Sequence, residues 1–233
     1  APTRSIGISV DEWNVWNITR FNEVDKEPLL TGGWLEHPPI IEDDYTVTDA
    51  VVVGSLLLAM LRRVDRVTMA NQAQLVNVIA PIRTTADGPA WRQTTFHPFA
   101  QAARHATGDS LAIDISGDTV DGGELGEVSA LDAAATVDGD SMSVFLVNRS
   151  LDSDLTVTAT VPAGWELSGD ATVLSPGPDG DRLRTATSPE TEIAPVPLDG
   201  ISLVDGALTA TLPAVSWSVV LLARAPDVTA AGR

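Results

Sequence analysis

The chain has 233 residues, room for one large domain or two ordinary ones, and carries 32 acidic against 14 basic residues for a formal charge of −18. So acidic a surface repels a phosphate backbone, which excludes nucleic acid as a partner; beyond that the acidity is read as a solubility device. With no cysteine and only three histidines, disulfides, thiolate metal sites and a thiol nucleophile are ruled out, and no metal or other cofactor is expected.

The chain opens A-P-T-R-S, without a basic or an apolar leader segment. No signal peptide is visible, and a cytoplasmic location is expected, although a mature secreted chain would also lack a leader. Ser5 to Trp16, S-I-G-I-S-V-D-E-W-N-V-W, is a β-branched run that breaks into two acids and two tryptophans, the pattern of a buried strand opening into a polar mouth. Ile6, Ile8 and Val10 alternate, and period-2 counting continues that face to Glu12 unless a bulge intervenes. Residues 14–39 lack periodicity and hold Gly32-Gly33 and Pro38-Pro39, which reads as a long irregular connection.

A helix is predicted from Thr46, where T-V-T-D has capping-box spacing between Thr46 and Asp49. Its apolar residues 50–61 are broken by Gly54 and Ser55 and fall short of the roughly 20 needed to span a bilayer, so no membrane partner is expected. Val51, Val52, Val53 and Leu56 widen its apolar surface, which predicts cover on more than one side. Val67 to Ala70 reads as a strand, with Asn71, Gln72, Gln74 and Asn77 clustered past its end, making strand, helix, strand of a parallel sheet or barrel. A second helix is predicted over Pro98 to Ala106, stopped by Gly108.

Beyond Leu111 the pattern is all β. L-A-I-D-I-S, M-S-V-F-L-V-N, L-T-V-T-A-T-V, A-L-T-A-T-L and W-S-V-V-L-L are separated by turn residues, as in an antiparallel sandwich. The expected division is residues 1–108, a sandwich over 109–226 and a tail over 227–233. A closed parallel barrel needs eight strand–helix pairs in about 250 residues, and the first part offers two. The chain is therefore expected to be the C-terminal piece of something larger.

Four stretches together, I-S-V-D-E-W-N-V-W at 8–16, Y-T-V-T-D-A-V-V-V-G at 45–54, A-Q-L-V-N-V-I-A-P-I at 73–82 and A-W-R-Q-T-T-F-H-P-F at 90–99, resemble α-L-arabinofuranosidases of glycoside hydrolase family 51. F-L-V-N-R-S at 145–150 and L-P-A-V-S-W-S-V at 212–219 carry the similarity on more weakly, so it covers nearly the whole chain. The resemblance implies an α/β part, the last two βα units of a (β/α)8 barrel, followed by an all-β sandwich of jelly-roll type. It also implies retaining hydrolysis of terminal arabinofuranosyl groups, with Glu12 as catalytic nucleophile, Trp16 shaping the sugar pocket and Gln74 contacting substrate. Asn17 departs from the family, where an aromatic is expected after the second tryptophan.

Such a mechanism needs two carboxyl groups about 5 to 5.5 Å apart. The resemblance places the acid/base at the end of the fourth barrel strand, outside this chain; Glu23, Glu27 and Glu36 have no motif to recommend them. The expected partners are an arabinofuranosyl-containing saccharide, the N-terminal chain or domain of the same enzyme, and further copies in a homo-oligomer. The competing readings are a non-catalytic carbohydrate-binding or assembly sandwich with a vestigial barrel remnant, and a related glycosidase acting on β-glucans or xylosides. Asp11 is read as a backbone partner, and Trp13, Trp91 and Trp217 as core. His97 and His105, eight apart without a third ligand, are not read as a metal site. Asn17-Ile18-Thr19 and Asn148-Arg149-Ser150 match glycosylation sequons formally and are read as unmodified.

Overall fold

The computed structural model describes residues 6–33, 36 and 40–226, with Asp170 described by its backbone only. Ser5, the Pro38-Pro39 end of the connection and the tail 227–233 lie outside the described residues. The chain divides into two compact units, one of residues up to Ala100 with Pro176–Ala194, the other of Gln101–Ser175 with the remainder.

In the first unit, β1 (Ile8–Trp13) pairs in parallel with β2 (Val67–Gln72). Three short helical pieces follow β1: α1 (Ile18–Arg20), a π-helical turn (Phe21–Asp25) and α2 (Lys26–Thr31). The connection read as irregular is thus largely helical. None of its three pieces has a buried residue, so no apolar stripe marks it in the sequence.

Helix α3 (Val47–Leu61) starts where the capping box predicts: Thr46 Oγ1 accepts the Asp49 N–H at 3.3 Å, and Asp49 Oδ2 accepts the Thr46 N–H at 2.7 Å. Val47, Ala50, Val53 and Leu58 are fully buried, and Val51 is buried beside them. Val52 and Leu56 remain 44% and 40% exposed, so that stripe is uncovered among the described residues. Hairpin β3 (Ile82–Thr84) and β4 (Ala90–Arg92) turns through Asp87-Gly88, with Asp87 in the left-handed region at φ 55°.

Pro176–Ala194 returns to this unit, unlike the expected division at 108/109. It is fastened by the Trp91 indole N–H, which donates to the Ala186 carbonyl at 3.0 Å, and by Arg92, whose Nε and Nη2 reach Glu192 Oε2 at 3.0 and 2.7 Å. These partners lie about a hundred positions apart, and neither side announces the other.

Helix α4 (Phe96–His105) ends before Gly108, which has φ 73°; a Cβ there would collide with the Val137 carbonyl oxygen. The second unit is antiparallel β: β5 (Asp109–Leu111), β6 (Thr119–Asp121), β7 (Glu127–Ser129), β8 (Leu131–Asp138), β9 (Ser141–Asn148), β10 (Leu155–Thr160), β11 (Trp165–Leu174), β12 (Val196–Pro197), β13 (Ser202–Val204), β14 (Ala207–Leu212) and β15 (Ser216–Arg224). A six-stranded sheet runs β12-β11-β15-β9-β8-β5, a three-stranded sheet β10-β14-β13, and β6-β7 pair separately. Met142, Val144, Leu146, Val220 and Leu222 of the larger sheet share one core with Val157, Leu208, Ala210 and Leu212 of the smaller, each set spaced by two as a sheet face requires. The opposite face of the larger sheet is buried too: Phe145 stacks on Trp217 at 5.8 Å, and the Trp217 indole N–H donates to Gln101 Oε1 at 2.8 Å.

Strands β9, β10, β14 and β15 fall on the predicted runs. The run at 111–116 is strand only to Leu111; Ile113 and Ile115 pack against the core without ladder partners.

Candidate active site

The parallel pair places its polar residues at one end. Val10 pairs with Ala70 and Trp13 with Gln72, three steps on β1 against two on β2, so β1 bulges by one residue at Asp11-Glu12. The bulge breaks the alternation that would put Glu12 on the face of Ile6 and Ile8, and both isoleucines are exposed among the described residues. Glu12 is exposed on the bulge, and Asp11 accepts from the Ser9 hydroxyl rather than from backbone.

Beyond the strand the chain is pinned residue by residue. The Trp13 carbonyl accepts the Ala73 N–H at 3.0 Å, extending the pairing past β2, and the Trp13 ring lies 6.2 Å from that of Phe99. Asn14 Nδ2 donates to the carbonyls of Ala73 and Ile79 at 2.6 and 2.5 Å, while its Oδ1 accepts from Val15 N–H at 2.9 Å and Gln72 Nε2 at 3.3 Å. The Tyr45 hydroxyl donates to the Val15 carbonyl at 2.6 Å, and Asp43 Oδ2 accepts the Asn17 N–H at 2.8 Å. Trp16, between these two anchors, is 43% exposed, its ring 6.1 Å from that of Phe21.

Gln74 is exposed and lies two residues past the end of β2, after a cis Ala73–Gln74 peptide; its N–H donates to the Ile79 carbonyl at 3.1 Å. Glu12 and Gln74 therefore leave the same end of the pair, β1 supplying one and the turn after β2 the other.

A buried scaffold stands behind them. Gln93, fully buried, accepts the Tyr45 N–H at 2.9 Å and donates to the carbonyls of Asp43 and Ala80 at 3.1 and 2.7 Å. Burial raises the Asp43 pKa above the ordinary carboxylate value, against the opposing pull of the Asn17 N–H and Arg20. Burial, with Asp43 and Asp49 nearby, also pushes the Tyr45 phenol up, so it remains a protonated donor. Arg83 donates to the Glu42 carbonyl at 2.6 Å and pairs with Asp44 at 3.2 Å, holding the acidic stretch in place.

Asn14, Asp43, Tyr45 and Gln93 were not singled out by sequence reasoning. Asn14 sits inside the D-E-W-N-V-W motif and Tyr45 is the chain's one tyrosine, the available signals. Glu23, Glu27 and Glu36 are all exposed. His97 is buried, and its pKa falls to about 4 through burial and the nearby Arg92 charge, so it is neutral at physiological pH. No cluster of metal-ligating side chains occurs among the described residues. Asn148 is fully buried and donates to the carbonyls of Ser153, Leu212 and Pro213, which leaves its sequon closed to glycosylation.

The family model for the α-L-arabinofuranosidase C-terminal domain matches residues 11–216. An intracellular exo-α-(1→5)-L-arabinofuranosidase of Streptomyces lividans is 44% identical over 93% of this chain and 32% of its own length. An exo-α-(1→6)-L-arabinofuranosidase of Bifidobacterium longum is 39% identical over 91% of this chain and 41% of its own. The solved structure of a family 51 α-L-arabinofuranosidase from Bifidobacterium longum superposes with a TM-score of 0.82 at 41% identity, covering 94% of this chain and 44% of that one. The chain thus spans 32% to 44% of the length of these relatives. It belongs to the α-L-arabinofuranosidase C-terminal domain family.

Proposed function

We propose that this chain is the C-terminal part of a retaining, exo-acting α-L-arabinofuranosidase, with Glu12 as nucleophile, Trp16 beside the sugar and Gln74 hydrogen-bonded to it. In this reading the first unit is the last two βα units of a (β/α)8 barrel and the second a jelly-roll sandwich. The observation that carries it is the position of Glu12 at the C-terminal end of a parallel strand, the end at which barrel enzymes build their sites, with Gln74 leaving the same end of the neighbouring strand.

The Glu12 carboxylate attacks the anomeric carbon as the bond from that carbon to the leaving oxygen breaks, and a carboxylic acid from the N-terminal region protonates that oxygen. The same group, now a carboxylate, takes a proton from water; the water oxygen bonds to the anomeric carbon and the ester bond to Glu12 breaks. Two inversions leave the configuration retained. An apolar pocket wall such as Trp16 supplies contact area, and an amide such as Gln74 fixes orientation. The similar enzymes differ in whether their names give a 1→5 or a 1→6 linkage, so the terminal arabinofuranosyl group is proposed as the recognised unit. The names of several relatives support an intracellular location. No described helix is long and apolar enough to cross a membrane. Assembly into a homo-oligomer is proposed from the resemblance.

Replacing Glu12 with Gln in the complete enzyme should lower hydrolysis of an aryl α-L-arabinofuranoside by about a thousandfold or more. Turnover within tenfold of the parent would refute the assignment. The competing view of a sugar-binding sandwich needs an exposed aromatic platform. Trp217 is fully buried, and Trp165 is buried with the Arg224 guanidinium 4.5 Å from its ring centre.

A further inference from the structure

We propose that Asn14 is a positioning residue that locks the turn carrying Gln74 to the strand carrying Glu12, an inference that rests on the function proposed above. Every polar atom of its amide is engaged. Both Nδ2 partners, the carbonyls of Ala73 and Ile79, can only accept, and both Oδ1 partners, Val15 N–H and Gln72 Nε2, can only donate. The orientation of the amide is therefore forced by its surroundings.

The two carbonyls matter because of where they lie. Ala73 immediately precedes Gln74, and Ile79 accepts the Gln74 N–H itself, closing the turn 74–79. Asn14 thus grips both ends of that turn while standing two residues past Glu12, just beyond the end of the neighbouring strand. The β-ladder ends at Trp13 and Gln72, and beyond it only the Ala73 N–H to Trp13 bond and this side chain join the two strand exits among the bonds described. The register bulge at Asp11-Glu12 weakens the ladder where a nucleophile needs fixed geometry, and a side-chain clamp just beyond it compensates.

The test is a kinetic cycle in the complete enzyme with an aryl α-L-arabinofuranoside: Asn14→Ala, Gln74→Ala and the double variant, with Asn14→Asp as a near-isosteric second route. Asp keeps acceptor oxygens and loses both donated bonds. Each single variant should lose about tenfold to a hundredfold in kcat/KM. The double variant should fall within about threefold of the worse single one, because Gln74 is already displaced once Asn14 is gone. A role confined to stability would lower Tm and leave kcat/KM intact well below it, and that outcome overturns the proposal. Losses that multiply in the double variant also overturn it, as does parental kcat/KM in Asn14→Asp. Glu12→Gln, assayed alongside, separates the two ideas: an active Glu12→Gln enzyme removes the underlying function, whereas an inactive one with multiplying Asn14 and Gln74 losses removes the clamp alone.

Discussion

Asp43 is a carboxylic acid in a place that disfavours its charge. It is buried, accepts the Asn17 N–H at 2.8 Å, and has a pKa raised chiefly by desolvation. An acid whose pKa is higher folded than unfolded contributes stability that is fully present below the unfolded value, near 3.8, and is lost as pH rises through the folded one. An amide keeps an acceptor for Asn17 and never ionises. Asp43→Asn should therefore leave Tm nearly unchanged below about pH 4 and raise it by roughly a few degrees near pH 7. Thermal unfolding at the two pH values checks this, and equal or lower stability of the variant near pH 7 would show that the charge itself is needed. Nothing in the sequence distinguishes Asp43 from its neighbours Glu42 and Asp44; only the fold buries one of the three acids and leaves the others to Arg83. Glu12, by contrast, stands in a sequence motif, although the alternation along β1 that leads to it is broken at the bulge.

At the scale of elements, what could be read depended on whether the determinants are local. Helix α3 has its cap, its apolar face and its length in one stretch, and both hydrogen bonds of the predicted capping box form. Thr46→Ala removes the acceptor for the Asp49 N–H and should cost about 1 kcal/mol, read as a lower midpoint in urea at unchanged m. A shift smaller than the error of the midpoint would mean that packing of Tyr45 and Val47 alone fixes the start of the helix. Strand β8 is the opposite case. Ala133-Ala134-Ala135 has helix propensity, and only pairing between β9 and β5 makes it a strand. Strand β11 interrupts its own register between Leu167 and Ala171, which erases the alternation that would reveal it. The helical pieces at 18–31 have no buried face and leave no periodic trace.

For the molecule as a whole, the two units differ in how completely they bury their own apolar surface. In the second, two sheets close over one core, and Phe145, Leu212 and Trp217 are fully buried. In the first, Ile6, Ile8, Val52, Leu56, Met69 and Leu75 are all exposed, drawn from β1 and the residues leading into it, β2, α3 and the turn after β2. Single exposed apolar residues need no explanation, but six on a two-stranded parallel sheet and its connections do, because parallel strands are ordinarily covered on both faces. On the proposed function, the N-terminal region of the complete enzyme covers them. The chain expressed alone should then bind an apolar dye such as ANS and exchange the amide hydrogens of β1 and β2 faster than those of β9 and β15. Supplying the N-terminal region should suppress the dye signal and slow exchange in β1 and β2 by about tenfold or more, with β9 and β15 unchanged. If the chain alone binds no dye and protects β1 and β2 as well as β9 and β15, the first unit is complete in itself. In that case the proposed cover of β1 and β2 by an N-terminal region falls.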